Sequence, residues 1–142
     1  MLLVRPSISR PLREGQIVVA SDGWAGSKAL VRLAGEIAAR EHAHVTLVHA
    51  LGAESDARTH EISAQGRALE QALPGRVSLR IEPGRAAEAI SSTARAVDAS
   101  LVLVGSRRLR GVRTLGSVSR SVLVDSPCSV LVLPPPAETA GP

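Results

Sequence analysis

Five short apolar runs recur along the chain, and the segments between them carry a different periodicity. The runs are 17–21 (IVVAS), 45–50 (VTLVHA), 77–81 (VSLRI), 101–104 (LVLV) and 130–133 (VLVL). Three are almost wholly apolar, as strands buried on both faces of a parallel sheet must be. The third differs: Val77, Leu79 and Ile81 alternate with Ser78 and Arg80, which predicts a more exposed, edge-like strand.

The intervening segments repeat at three and four. From Ser27 to Arg40 the positions Ala29, Leu30, Leu33, Ala34, Ile37 and Ala38 form one helical face. Asp56 to Leu73, with Ile62, Leu69 and Leu73 on a polar background, predicts a surface helix closed by Pro74-Gly75. Ala86 to Val97 and Ser117 to Val124 predict two more, the last ending before Pro127. The order βαβαβαβαβ with short connections defines the fold class: α/β, a five-stranded parallel doubly wound sheet with helices on both faces, in one domain.

Length and composition agree with one soluble globular domain. A chain of 142 residues can bury about 68–70% of its unfolded surface. Its core has to be aliphatic, because the aromatic content is 1% with no Phe or Tyr. The net charge of +4 is carried almost entirely by Arg, with Lys28 the single Lys and no Asn at all. That joint scarcity fits a GC-rich coding bias, so the bulk charge argues poorly for a nucleic-acid partner, and only Trp24 could serve as a stacking platform. The lone Cys128 excludes an internal disulfide framework and suits a reducing compartment.

The expected organisation is a flexible N-terminal extension over 1–15, the α/β domain over 16–134, and a disordered C-terminal tail over 135–142 that opens on prolines. The apolar run between Met1 and Arg5 is far shorter than the roughly 7–15 apolar residues of a signal peptide. No window approaches the ~18 apolar residues of a membrane helix. The expectation is a cytoplasmic protein without membrane contact.

In a doubly wound sheet, ligands bind outside the carboxyl ends of the strands, where the strand order reverses. The stretch after the fourth run is the most informative there. Gly105 and Gly116 bracket Arg107, Arg108, Arg110 and Arg113, and no carboxylate lies between Asp98 and Asp125. Gly116-Ser117 opens a helix whose free N–H groups can receive an anion. Spacing alone leaves two readings open: a phosphate-bearing ligand, or a basic solvated loop whose Ser117 caps the helix.

These segments together resemble the universal stress protein family over nearly all of Ile17 to Leu133. The resemblance rests on IVVASDG, VTLVHA, EPGRAAEAI, VDASLVLVGSR and, above all, LGSVSRSVLVDSPCSVLVL. It implies a flavodoxin-like, Rossmann-like five-stranded sheet of order 3-2-1-4-5 and a homodimer formed through the last strand, Val130–Leu133. It also implies ATP or a related adenine nucleotide, with Mg a candidate companion ion. The ATP-binding branch carries Gly-x2-Gly-x9-Gly-[Ser/Thr], onto which Gly105, Gly116 and Ser117 align. Asp22 aligns with an acidic residue near the adenosine, next to Ala20, and Ala50 with the small residue after the second strand. Val104 and Val118 align with residues whose backbone lines the nucleotide. Two features depart from the branch: Arg108 stands at the second glycine, and the interval from Gly105 to Gly116 is two residues shorter than the motif's.

Other residues are assigned structural roles. His49, at the end of a buried strand with no nucleophile patterned beside it, is expected to be a hydrogen-bonded core histidine. His42, His44 and His60 have no ligand spacing with Cys128, which is expected to be a packing thiol. Trp24 covers either a base or its own loop. Three functions follow: a nucleotide-holding stress regulator without rapid turnover, a nucleotide-independent dimeric interaction module of the same fold, or a slow ATPase, for which no general base is patterned near the glycine loop.

Overall fold

A computed structural model describes residues 2–4, 10–22, 25–51, 56–105, 108–109, 112–113 and 117–133. Strand β1 is Leu2–Val4 and β2 is Gln16–Ala20, followed by helix α1, Ala25–Glu41. Next come β3 (His44–Leu51), α2 (Asp56–Ala72), β4 (Val77–Pro83) and α3 (Ala86–Ala96). After β5 (Leu101–Gly105), two short strands, β6 (Arg108–Leu109) and β7 (Val112–Arg113), precede α4 (Ser117–Asp125) and β8 (Ser129–Leu133). All five expected strands and four expected helices are therefore found.

The main sheet runs β1-β8-β5-β2-β3-β4. Its five parallel strands, read from β4, have the expected order 3-2-1-4-5. Strand β2 lies parallel between β3 and β5, with Ile17 opposite both Val45 and Leu101. Because the chain builds outward from β2 first through β3 and β4 and then through β5 and β8, the winding reverses between β2 and β5.

Strand periodicity divides the core. One set, with Ile17, Val19, Val45, Leu47, Leu101 and Leu103, packs under Leu30, Ala34 and Ala38 of α1, Ile62 and Leu69 of α2, and Leu73 just beyond α2. The alternate set, with Val18, Val48, Val102, Val104, Val130 and Val132, meets Ala89, Ile90 and Ala94 of α3 and Val122 of α4. Cys128 packs there, 2% exposed, as expected of a packing thiol. Burial pushes its thiol pKa up, opposed by the Ser126 hydroxyl and by the charge of Arg10.

Two parts of the structure differ from the sequence expectation. Within the segment expected to be a flexible extension, Leu2–Val4 form β1, antiparallel to β8 with Leu3 opposite Leu131. Residues nearer β2 are also tied down: the Ser100 hydroxyl donates to the Pro11 carbonyl at 2.7 Å, and the Glu14 N–H donates to Glu41 at 2.7 Å. The side of β8 away from β5 presents backbone N–H and C=O groups, and these polar groups gain from a strand that pairs with them. The edge through which a homodimer was expected, Val130–Leu133, is thus taken on its outer side by the same chain. The second difference is the β6–β7 hairpin inside the glycine loop. The C-terminal tail over 135–142 lies outside the described residues.

Candidate functional site

The carboxyl ends of β2, β3 and β5 meet where the winding reverses, and two differently built exits face each other there. At the first, Ser21 follows β2 and is held by β3 through both backbone groups. Its N–H donates to the Val48 carbonyl at 3.0 Å, and its carbonyl accepts from Nδ1 of His49 at 2.8 Å. The Ser21 hydroxyl donates to Oε1 of Gln65 at 2.6 Å, and Nε2 of Gln65 donates to the Ser27 hydroxyl at 3.0 Å. This buried chain joins the exit of β2 to α1 and α2 and fixes the backbone that presents Asp22. With Nδ1 facing the Ser21 carbonyl, Nε2 of His49 is buried and without a partner among the described residues. His49 is thus the hydrogen-bonded core residue expected.

At the second exit, Gly105 ends β5, is exposed and has no positive φ, and a Cβ added to it would meet nothing within 4 Å among the described residues. Its backbone conformation does not require glycine. Its carbonyl accepts from the buried Ser119 hydroxyl at 2.7 Å, which fastens the first turn of α4 to the end of β5. The N-terminus of α4, with its free N–H groups and partial positive charge, is thereby held beside Gly105.

Between these anchors the chain forms the β6–β7 hairpin, with Arg108 opposite Arg113 and Leu109 opposite Val112. At the second glycine position, Arg108 lies in β6 with its backbone paired opposite Arg113.

Each expected site residue can now be placed. Ala20 ends β2, half-buried, and Asp22 follows two residues later, partly exposed. Ala50 lies near the end of β3, half-buried and opposite Glu82. Val104 is buried against the α3–α4 side, while Val118 in the first turn of α4 is 38% exposed. Ser117 begins α4, and Arg108 begins β6. Gly116 and Trp24 lie outside the described residues. The structure therefore brings Ala20, Asp22, Ala50, Val104, Gly105, Ser117 and Val118 to one end of the sheet. Sequence reading missed Ser27, Gln65 and Ser119, because serine and glutamine on helices read as solvated until the packing shows them buried.

The profile of the universal stress protein family matches residues 15–134. The chain belongs to the universal stress protein family. Among solved structures, a universal stress protein in complex with cAMP is 26% identical, with a TM-score of 0.72 over 85% of this chain and 97% of that one. A universal stress protein from Archaeoglobus fulgidus in complex with dAMP is 23% identical, with a TM-score of 0.68 over 83% and 96% of the two chains. UspA from Lactobacillus plantarum shares the fold at 18% identity and a TM-score of 0.65, over 85% and 98%. No curated protein matches the chain in sequence. Among the described residues, no helix is long and apolar enough to cross a membrane.

Proposed function

We propose that the chain is a cytoplasmic regulator that binds ATP or a related adenine nucleotide and holds it without rapid turnover. The observation that carries this reading is Gly105, exposed and crowded by none of the described residues, beside the start of α4. A missing side chain there leaves room for a ligand to come against the backbone. Phosphates would lie at the N-terminus of α4, at Gly116, Ser117 and Val118, where free N–H groups and the helix dipole favour anions. Arginines of the loop, Arg108 among them, would add charge, and bidentate guanidinium contacts suit phosphate oxygens. The adenosine would reach toward Ala20, Asp22, Ala50 and Val104, with the Asp22 carboxylate accepting from a ribose hydroxyl or the adenine amine. No carboxylate lies in the loop, so any Mg would be held by the phosphates and water rather than by that segment.

Related structures hold cAMP and dAMP, and their likeness to this chain supports a nucleotide in general. Calorimetric titration with ATP, ADP, AMP and cAMP tests the reading. Heat is expected for at least one of them; silence from all four at high protein concentration contradicts it. A second reading, a nucleotide-independent interaction module, draws on the β6–β7 pairing, which commits loop backbone groups to each other rather than to a ligand. Under that reading all four titrations stay silent while the protein remains folded.

A further inference from the structure

Consecutive residues of β3 hold Ser21 at the exit of β2. The Ser21 N–H donates to the Val48 carbonyl, and the Ser21 carbonyl accepts from Nδ1 of His49 at 2.8 Å. Both backbone groups of Ser21 therefore face β3. That carbonyl belongs to the peptide unit that also carries the Asp22 N–H. The described peptide bonds are all trans, and in a trans peptide the carbonyl and the following N–H point in opposite directions. Because β2 lies between β3 and β5, the backbone of residue 22 is turned toward β5, the side on which Gly105 lies.

His49 makes that bond at a cost to the fold. It follows Val45 and Leu47 on the α1–α2 face of β3, where both are buried aliphatic residues, and is itself 5% exposed. A carbonyl oxygen only accepts, so the contact with Ser21 needs the ring proton on Nδ1. Nε2 is left buried and without a partner among the described residues, a polar atom removed from water with no offsetting bond. A third aliphatic side chain would fill the position at less cost. An imidazole there is explained by its hold on Ser21, the residue from which Asp22 is presented.

We propose that His49 is a positioning residue of the nucleotide site. Its ring fixes the peptide plane between Ser21 and Asp22, which aims residue 22 at the cleft between β2 and β5, and the affinity of the site depends on that bond. The inference rests on the nucleotide reading given above and adds to it a residue too buried to meet the ligand itself. Gln65 holds the Ser21 side chain, whereas His49 holds the peptide unit that leads to Asp22. Without the imidazole that unit can rotate about its flanking single bonds. The ligand then has to order it on binding, and affinity falls while the sheet below is unchanged.

Three variants separate positioning from packing. His49→Asn places an amide nitrogen at about the distance of Nδ1 from the backbone, His49→Gln places it further out, near Nε2, and His49→Leu removes the donor altogether. Each is checked for folding by circular dichroism and titrated calorimetrically with whichever of ATP, ADP, AMP and cAMP gives heat with the unaltered chain. His49→Leu and His49→Gln are expected to bind about tenfold more weakly, the upper end of what one net hydrogen bond supplies. His49→Asn is expected to bind close to the unaltered chain, a rescue that packing alone would not produce. If the Leu variant fails to fold, the Asn and Gln pair carries the test. A folded Leu or Gln variant that binds as tightly as the unaltered chain overturns the proposal and leaves the nucleotide reading standing. So does an Asn variant that binds as weakly as the Gln variant. Silence of the unaltered chain with all four nucleotides overturns both.

Discussion

The exits of β2 and β5 lie side by side at the same end of the sheet, yet they are finished in opposite ways. After β2, Ser21 is held by the Val48 carbonyl, His49 and Gln65, and the residues of this network are buried. After β5, Gly105 is exposed, pairs with Leu133 of β8, has its carbonyl fastened to Ser119, and would present an added Cβ to nothing within 4 Å among the described residues. One exit is stabilised by buried side-chain polar groups, and the other is held through backbone alone on its strand side. A hydrogen-bonded exit serves folding; an exposed glycine beside a helix N-terminus, uncrowded by any described residue, suits the approach of a ligand. The difference separates residues that hold the site from residues that form it.

Four perturbations test that separation, beginning with the strongest. Nucleotide at a hundredfold excess over its Kd is expected to add about 2.7 kcal/mol of stability, read as a rise in the thermal midpoint, and Gly105→Val is expected to abolish most of that rise. Gln65→Leu removes two buried hydrogen bonds and is expected to cost about 1–3 kcal/mol in urea denaturation. Ser119→Ala, which frees the first turn of α4 from Gly105, is expected to cost about 1 kcal/mol and to weaken nucleotide binding as well. Gly105→Ala is the smallest and reverses sign: at an ordinary φ it restricts the unfolded chain and is expected to add about 0.4–1 kcal/mol. If Gly105→Ala destabilises instead, the glycine serves the fold and the contrast between the exits collapses.

The two sheet faces supply a chemical check on the same picture. Burial pushes the Cys128 thiol up, so the folded state favours its protonated form. Its contribution to stability is expected to be complete below about pH 8.5, the unfolded thiol's pKa, and to decline as pH rises above that value. Thiol-reactive probes at pH 8 are expected to label the native protein slowly and the denatured protein fast. Rapid native labelling would mean that the α3–α4 face is looser than its packing indicates.

Most of the fold was legible in the sequence because periodicity and burial coincide: Ile17, Val18 and Val19 are fully buried on alternate faces, and the run that encodes them is unbroken apolar sequence. The edge character of β4 was legible too, from Ser78 and Arg80. Strand β1 was not, because three apolar residues carry too little periodicity to be distinguished from a loose terminus, and only the open side of β8 gives them a partner. The β6–β7 hairpin was hidden for a related reason, since two-residue strands leave no pattern and the glycines around them suggested open loop. At the site, Gly105 and Asp22 stood out by their place after apolar runs. Gln65, Ser27 and Ser119 did not, because their roles come from contacts between residues as many as 44 positions apart.

The central claim is that an adenine nucleotide occupies the end of the sheet where β2, β3 and β5 terminate. Nitrogen-15 amide spectra recorded during titration with ATP test the location directly. The account predicts that the largest shifts fall at Asp22, Ala50, Gly105, Ser117 and Val118, with β4 and the far ends of the strands unmoved. Unchanged spectra, or shifts confined to the β4 edge or to β1 and β8, would contradict it.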